Sequence, residues 1–326
     1  MLRYFFIAIS LLIVIIVYTI WDNNQIKTVK KEILIENLPK ELDGFTILQI
    51  SDLHEKEFGK NQAKLVNKIN SLSYDALVFT GDMLKENNSK NYYPYFTLIE
   101  GIENKDFSMF VPGNTDPSPY DFDGNLNYKK TKFVTEMEQK GVILLESSFV
   151  VEKGNSKVHF VDFDFSIQNE RYIESLKMKL NQGDPKSSEV IKYKIKLFNE
   201  SPAIENLDSK DVVIALTHFP VVDQHLDSIL SNSLTSLRSY DLIIAGHYHG
   251  GQIRLPFFGA LFVPEAWYDM GGLFPPKNRV KGLWEYRNIK QYVSTGLGSS
   301  KANKLFEFRL FNTPEINLLI LKSKSR

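Results

Sequence analysis

The sequence predicts an α/β protein, a four-layer α/β/β/α sandwich preceded by an N-terminal transmembrane helix. Three observations lead to this prediction. Residues 45–140 alternate short apolar strands with helical stretches, which is typical of a parallel sheet covered by helices. Residues 142–161 change to closely spaced strands joined by turns, which indicates a second sheet packed on the first. Residues 4–20 form an almost uninterrupted apolar run.

Length and composition limit the classes of protein. With 326 residues and a formal net charge of zero, the chain suits one large domain with appendages. The balanced charge provides no surface for a polyanion, so we expect no nucleic-acid scaffold role. The chain has no cysteine, which excludes disulfides and thiolate metal sites. Any bound metal must therefore take nitrogen and oxygen ligands.

Residues 1–22 are predicted to be a single-pass anchor in the cell membrane. As a helix at ~1.5 Å per residue, the stretch from Tyr4 to Trp21 would span roughly 27 Å, which is enough to cross a bilayer. A buried core helix would show a polar face, and this run has none. A cleaved signal peptide is the alternative, but no Ala-x-Ala-like site follows the run.

The charges that flank this run favour opposite orientations. Arg3 favours a cytoplasmic N-terminus, whereas Lys27, Lys30 and Lys31 on the other side oppose it. Because the N-terminal tail is short, as in a signal anchor, we expect the domain that follows the anchor on the extracellular side.

The remaining elements are expected in chain order. Residues 23–44 comprise a linker and an edge strand at 31–39, and residues 45–326 form the main domain. Apolar residues at helical spacing predict three crossover helices: 60–72, 93–102 and 130–140. Six strands are assigned to the second sheet: 142–145, 149–151, 158–161, 280–285, 291–294 and 316–321.

Two segments have more than one interpretation. Residues 166–210 predict two helices rich in lysine, glutamate and asparagine, which form either a solvated insertion or a lid over the site. Their apolar stripes are Ile173, Leu176 and Leu180, then Ile191, Ile195 and Phe198. Residues 254–268 form an aromatic loop punctuated by proline, which suits core packing or contact with a membrane interface or acyl chain.

Side chains that can bind metal follow five predicted strands. They are Asp52 with His54, Asp82, Asn114 with Asp116, His218, and His247 with His249. Ligands of open α/β sheets bind beyond the carboxyl ends of the strands. One such Asp is usually a turn or helix cap, but five such stretches together indicate one site. Neutral imidazole is the commonest protein ligand for metal ions, which strengthens this interpretation.

The order Asp-x-His, Gly-Asp, Gly-Asn, His and Gly-His-x-His resembles the calcineurin-like metallophosphoesterase superfamily. The match covers about 47–252 and is specific in order and spacing. The sequence Gly-Gly-Gln at 250–252, with a membrane segment in front, is similar to a bacterial membrane-associated branch. That branch is grouped with UDP-2,3-diacylglucosamine hydrolases.

The resemblance implies two divalent metal ions that share one carboxylate. The ligands implied for the first ion are Asp52, His54, Asp82 and His249. The ligands implied for the second ion are Asp82, Asn114, His218 and His247. Mixed nitrogen and oxygen ligation suits Mn, Fe or Zn better than Ca.

The resemblance also implies catalytic roles. A water that bridges both ions would lose a proton and attack phosphorus in line, with Asp82, Asn114, Asp116 and His218 as catalytic residues. One position departs from the family. Thr115 stands where the superfamily usually has His and where the compared hydrolases have Arg. Thr115 is therefore expected to contact substrate without acting as an acid.

We expect a binuclear-metal phosphoesterase that cleaves a phosphodiester or pyrophosphate, with a lipid-linked substrate favoured. A phosphomonoesterase or nucleotidase of the same fold is one alternative. A non-catalytic metal-binding scaffold is another, which the retention of all the implied ligands disfavours. The sequence specifies neither the substrate nor the metal.

Overall fold

The structure is a computed structural model that describes residues 1–180, 182–201, 211–300 and 307–324. These residues form two six-stranded sheets that pack face to face, with helices on both outer faces. The predicted fold class is therefore confirmed.

The described residues contain eight α-helices and sixteen strands. The helices are α1 (Leu2–Asn23), α2 (Ala63–Asn70), α3 (Tyr93–Gly101), α4 (Lys132–Gln139), α5 (Phe163–Ser166), α6 (Glu170–Lys179), α7 (Pro185–Glu200) and α8 (Asp223–Ser231). The strands are β1 (Lys27–Ile35), β2 (Thr46–Ile50), β3 (Ala76–Thr80), β4 (Ser108–Val111), β5 (Tyr120–Phe122), β6 (Tyr128–Lys130), β7 (Ile143–Leu144), β8 (Ser148–Lys153), β9 (Ser156–Asp162), β10 (Val212–Leu216), β11 (Leu242–Ala245), β12 (Arg254–Leu255), β13 (Gly259–Ala260), β14 (Gly282–Tyr286), β15 (Ile289–Val293) and β16 (Glu315–Ser323).

The strand order is β1-β16-β2-β3-β4-β7 in the first sheet and β14-β15-β11-β10-β9-β8 in the second. Parallel pairing through β2, β3, β4 and β7, and through β9, β10, β11 and β15, brings the carboxyl ends of these strands together. The strands are apolar on both faces, as expected for covered parallel sheets. In β2, Ile47 faces the core between the sheets, whereas Leu48 and Ile50 face the helices.

Two strands lie in a different sheet from the one predicted. β7 pairs in parallel with β4 in the first sheet, because α4 returns the chain beside the strand that precedes it. β16 lies between β1 and β2, also in the first sheet. Its faces bury Ile316 against the helices and Leu319 between the sheets, so it occupies an interior position.

The other predicted elements are present with shifted ends. The edge strand predicted at 31–39 is β1, and the three crossover helices are α2, α3 and α4. The two helices predicted within 166–210 are α6 and α7, while residues 202–210 lie outside the described residues.

α1 is long and apolar enough to span a membrane, and its apolar window is not buried in the protein. Its carboxyl end is bonded to the main domain. Asn23 Nδ2 donates to the Arg309 carbonyl (2.7 Å), and the Arg309 amide donates to Asn23 Oδ1 (2.9 Å). Thr313 Oγ1 donates to Asp22 Oδ1 (2.6 Å). The helix is therefore fixed to the segment that precedes β16.

Candidate metal centre

The residues implied as metal ligands converge at the carboxyl ends of β2, β3, β4, β10 and β11. Two groups share Asp82. Ligand atoms of the first group lie within 4.8 Å of one another, and its members are Asp52, His54, Asp82 and His249. The same limit holds for the second group, whose members are Asp82, His218 and His247.

The first group is compact and buried. His54 Nε2 lies 3.1 Å from His249 Nε2 and 3.5 Å from Asp82 Oδ2. His249 Nε2 lies 3.5 Å from Asp52 Oδ1. Asp52 is held in place because it accepts hydrogen bonds from Ser51 Oγ (2.5 Å) and from the His247 amide (3.1 Å).

The second group includes Asn114. His218 Nε2 lies 3.4 Å from Asp82 Oδ2 and 3.1 Å from His247 Nδ1. The same nitrogen lies 3.2 Å from Asn114 Oδ1. The geometry thus brings together both ligand sets that the family resemblance implies.

The protonation pattern of the rings favours a bound cation. His54 Nδ1 lies 3.2 Å from the Leu84 carbonyl, and His218 Nδ1 lies 2.8 Å from the Thr80 carbonyl. Carbonyls only accept hydrogen bonds, so each Nδ1 carries a proton, and in the neutral ring each Nε2 directs a lone pair into the cluster. Converging lone pairs and carboxylates repel one another unless a positive charge lies among them. The donors present therefore fit divalent metal.

Burial sets the charge of these side chains. It lowers the pKa of His54 to about 4 and of His247 to about 3, so both rings are neutral near pH 7. It also raises the pKa of Asp52 to about 7. Burial opposes protonation of His218, but the carboxylate of Asp82 outweighs it and, as long as no cation offsets that carboxylate, raises the pKa to about 9. A divalent ion beside Asp82 would take the place of the proton on His218 Nε2. The negative charge of Asp82 is one that a divalent cation would neutralise.

The backbone is strained at the ligand positions. Left-handed φ angles between 48° and 69° occur at Asp52, His54, Asp82, His247 and His249. Such a conformation costs roughly 1–3 kcal/mol at a non-glycine residue and clusters at functional sites. The adjacent glycines are also required sterically. A Cβ on Gly113 would overlap the Asp82 carboxylate, and one on Gly246 would overlap Ser51 Oγ.

Asp116 lies beside the cluster, and both of its oxygens are occupied. Oδ2 accepts from the amides of Asp82 (2.7 Å) and Gly113 (2.9 Å), and Oδ1 accepts from those of Met83 (2.9 Å) and Leu84 (3.1 Å). Asp116 therefore joins the loop after β3 to the loop after β4. This geometry gives it a positioning role.

Thr115 is held against the same loop. Its amide donates to Asp82 Oδ1 (2.8 Å), and its hydroxyl donates to the Leu84 carbonyl (2.6 Å). The threonine thus orients the shared carboxylate through its backbone, while its hydroxyl is engaged away from the ligand atoms.

Sequence reasoning missed several residues that support the centre. Gln49 Nε2 donates to the Ala245 carbonyl (2.8 Å) and so links the two sheets below the ligands. The buried Arg309 guanidinium donates to the carbonyls of Gly298 (2.8 Å), Asn312 (2.8 Å) and His249 (3.4 Å). No motif surrounds Arg309, so only the folded chain reveals its role.

A cavity of about 600 Å³ opens beside the cluster. Asp82, Asn114, His247 and His249 form its polar end. Its apolar wall consists of Ile253, Leu261, Phe262, Pro264, Phe308 and Leu310. Among the described residues, α6 and α7 do not line it and instead border a separate cavity of about 350 Å³. The lid role of 166–210 stays a prediction.

Two facing sheets and a buried Asp/His cluster at their strand ends define an α/β protein with a candidate metal centre. The calcineurin-like phosphoesterase family matches residues 45–251, and the chain belongs to that family. The resemblance inferred from the motifs is thereby confirmed. So is the predicted class of enzyme, a metal-dependent phosphoric ester hydrolase.

Three relatives illustrate the similarity. The metallophosphoesterase YkuE of Bacillus subtilis is 23% identical over 309 residues, which cover 93% of this chain and 87% of YkuE. The UDP-2,3-diacylglucosamine pyrophosphatase LpxG of Chlamydia muridarum is 25% identical over an alignment of 328 positions, which covers 92% of each chain. The phosphodiesterase YaeI of Escherichia coli is 34% identical over 82 residues, or 25% of each chain.

Proposed function

We propose that the protein hydrolyses a phosphodiester or pyrophosphate bond in a lipid-linked substrate. The observation that carries this proposal is the composition of the cavity. Its polar end is the Asp/His cluster, and the rest of its wall is largely apolar. A substrate with a phosphate at one end and a hydrocarbon group at the other matches this division. The similarity to LpxG, whose name specifies a diacylated substrate, supports the same class.

We propose that the two ligand groups hold two divalent ions, with Asp82 shared between them. When bound, such ions would activate a water and stabilise charge on the phosphoryl oxygens. Nitrogen and oxygen donors without sulfur support Mn, Fe or Zn. The chain itself orients the imidazoles of His54 and His218 through the carbonyls of Leu84 and Thr80, and it places an apolar wall beside the ligand groups.

We also propose that α1 crosses the cell membrane once, with the hydrolase domain on the extracellular side. The attachment of α1 supports membrane access. Ile20 and Asn23 at its end line a small cavity together with His54 and Phe308. Because His54 belongs to the cluster and Phe308 also lines the larger cavity, the centre lies close to the end of the helix.

The test is a substrate panel on full-length protein in lipid nanodiscs. The protein is stripped with a chelator and reloaded with Mn, Fe or Zn, and the bound metal is counted. Matched substrates carry the same pyrophosphate head group with and without acyl chains, beside a phosphomonoester. We expect metal-dependent hydrolysis, with a higher kcat/KM for the acylated compound.

Each other result has a definite meaning. Preference for the monoester would replace the proposal with a phosphomonoesterase. Bound metal without hydrolysis of any compound would favour the non-catalytic scaffold. Equal kcat/KM with and without acyl chains would remove the lipid-linked assignment and keep the hydrolase.

A further inference from the structure

An exposed apolar surface lies beside the cavity, and we call it the aromatic rim. Its members are Phe257, Phe258, Met270, Leu273, Phe274 and Phe311. Phe257 is 96% exposed and Phe258 is 72% exposed at the tip of the β12–β13 hairpin. Single exposed apolar side chains are ordinary, but a contiguous exposed group marks a binding surface.

Backbone pairing holds the segments of the rim together. Ile253 bridges to Leu310 on one side of the hairpin, and Phe262 bridges to Leu273 on the other. The Phe274 amide donates to the Leu261 carbonyl (2.8 Å). The rim is therefore one ordered surface built from three neighbouring segments.

The rim is attached to the helix that enters the membrane. The rings of Phe311 and Tyr18 are 5.5 Å apart, and Tyr18 lies inside the apolar run of α1. Tyr18 lies five residues before the end of α1 at Asn23, which is about 7.5 Å along the helix axis. Because Asn23 is bonded to Arg309, Phe311 is held at the level of lipid-facing residues of the helix.

Charged groups near the end of α1 suit lipid head groups. The Lys56 ammonium donates to the Asn23 carbonyl, and the Lys64 ammonium donates to the Asn24 carbonyl (3.3 Å). Lys277 Nζ donates to the Phe257 carbonyl (2.7 Å), which places a cation beside the rim. Cations beside an apolar surface match the boundary between head groups and acyl chains.

The apolar wall of the cavity continues into the rim. Phe262 and Leu310 line the cavity, and each lies next to a rim segment in sequence or pairing. An acyl chain could therefore pass from the bilayer to the cavity along apolar side chains.

We propose that the aromatic rim docks on the same bilayer that α1 enters, so that the cavity receives its substrate directly from the membrane. The inference rests on the proposed membrane anchor and specifies how the proposed substrate reaches the centre. The bilayer is the occupant because the bonds of Asp22 and Asn23 fix the rim beside the membrane helix.

The chain contains no cysteine, so a single introduced thiol can be labelled uniquely. Full-length Phe257→Cys and Phe274→Cys variants are labelled with an environment-sensitive fluorophore in phosphatidylcholine–phosphatidylglycerol vesicles. Leu34→Cys is the matched control, because Leu34 is 46% exposed near the far end of β1. We expect a blue shift, and quenching by nitroxide-labelled acyl chains, at 257 and 274 but not at 34.

Absence of lipid quenching at 257 and 274 would overturn the inference. If the Phe257→Cys variant formed a disulfide between two copies and its label were not quenched by lipid, the rim would contact a second copy of the chain instead of the bilayer. These readouts do not require activity, so they remain decisive if the proposed hydrolase function fails.

A kinetic comparison adds a second readout if the enzyme is active. The double variant Phe257→Ser and Phe258→Ser should lose activity on a lipid-linked substrate in vesicles. It should keep the natural rate on a soluble aryl diester, as should Leu34→Ser on both substrates. Unchanged hydrolysis of the vesicle substrate by the double variant would contradict membrane delivery through the rim.

Discussion

The ligand loops and the segment 307–313 serve the same centre in different ways. The ligand loops supply the Asp and His atoms that could hold metal ions, and they require glycine and left-handed backbone. The segment 307–313 supplies no member of either ligand group. Its Arg309 and Asn312 side chains donate hydrogen bonds to the His249 carbonyl. Asn23 at the end of α1 is bonded to the same segment. The first region thus provides the candidate ligands, whereas the second fixes the position of one ligand loop relative to α1.

The largest effect is expected at the carboxylate that both ligand groups share. Asp82→Asn should lose bound metal and lower kcat/KM by roughly 10³-fold or more, since metal charge stabilisation is worth several kcal/mol. Metal content and diester kinetics are measured together. The control is Asp106→Asn, an exposed position before β4. Natural activity in the Asp82 variant, or in metal-stripped protein, would refute the binuclear assignment.

Substitution of Arg309 shows whether the segment 307–313 positions one ligand group and not the other. Arg309→Ala leaves three buried carbonyls without this donor, so we expect a stability loss of about 2–5 kcal/mol. Through His249, the affinity for one of the two ions should fall by about 10–100-fold. Thermal unfolding and stepwise metal titration measure the two effects.

A control and a partial rescue make the Arg309 test specific. Arg287→Ala removes an arginine that pairs with Asp227 at the surface, and it should leave metal binding unchanged. Arg309→Lys should recover part of the lost affinity, because it restores one donor and the charge. If Arg309→Ala lowered the affinity for both ions equally, the effect would be a general loss of stability, and Arg309 would have no selective positioning role.

Thr115 tests whether a leaving group departs without a protonated side chain. Its hydroxyl is bonded to the Leu84 carbonyl, and threonine is no acid near neutral pH. The rate should depend steeply on leaving-group acidity, so aryl diesters should react well and alkyl diesters poorly. General acid catalysis contributes ~10²–10⁴-fold, which makes the difference measurable.

Two variants sharpen this prediction. Thr115→Val should change aryl and alkyl rates by the same small factor, because the hydroxyl takes no part in proton transfer. Thr115→His should raise alkyl rates more than aryl rates, because imidazole supplies an acid. A selective loss of alkyl activity in Thr115→Val would mean that the hydroxyl assists the leaving group.

The convergence of the Asp and His side chains could be expected from the sequence because its signals are local. Asp52, Asp82 and His218 each lie two residues beyond the end of an apolar strand, and parallel strands bring such positions to one edge. The sheet assignments of β7 and β16 were wrong, because the length and apolar pattern of a strand do not specify which neighbour it pairs with.

The support around the centre was not predictable for a related reason. Arg309 reaches His249 across 60 residues of sequence, so its role depends on tertiary packing alone. The composition of residues 254–268 indicates an aromatic loop. The exposure of Phe257 and Phe258, and the pairing of this loop with the segment whose Phe311 contacts α1, depend on the folded chain.

The smallest effect is expected from the helical insertion. α7 has no fully buried residue, and Tyr193 packs on Tyr120 beside a cavity that is separate from the metal centre. Replacing Ile191, Ile195 and Phe198 by Ser should therefore change hydrolysis of lipid-linked and small diesters by the same small factor. Full burial of an apolar side chain is worth about 1.5–3 kcal/mol. Because these three side chains are only partly buried, each replacement should lower the stability by less than that. The two rates and the melting temperature are compared with those of Lys192→Ser on the same helix. Selective loss on the lipid-linked substrate would instead assign the insertion to substrate binding and establish the lid.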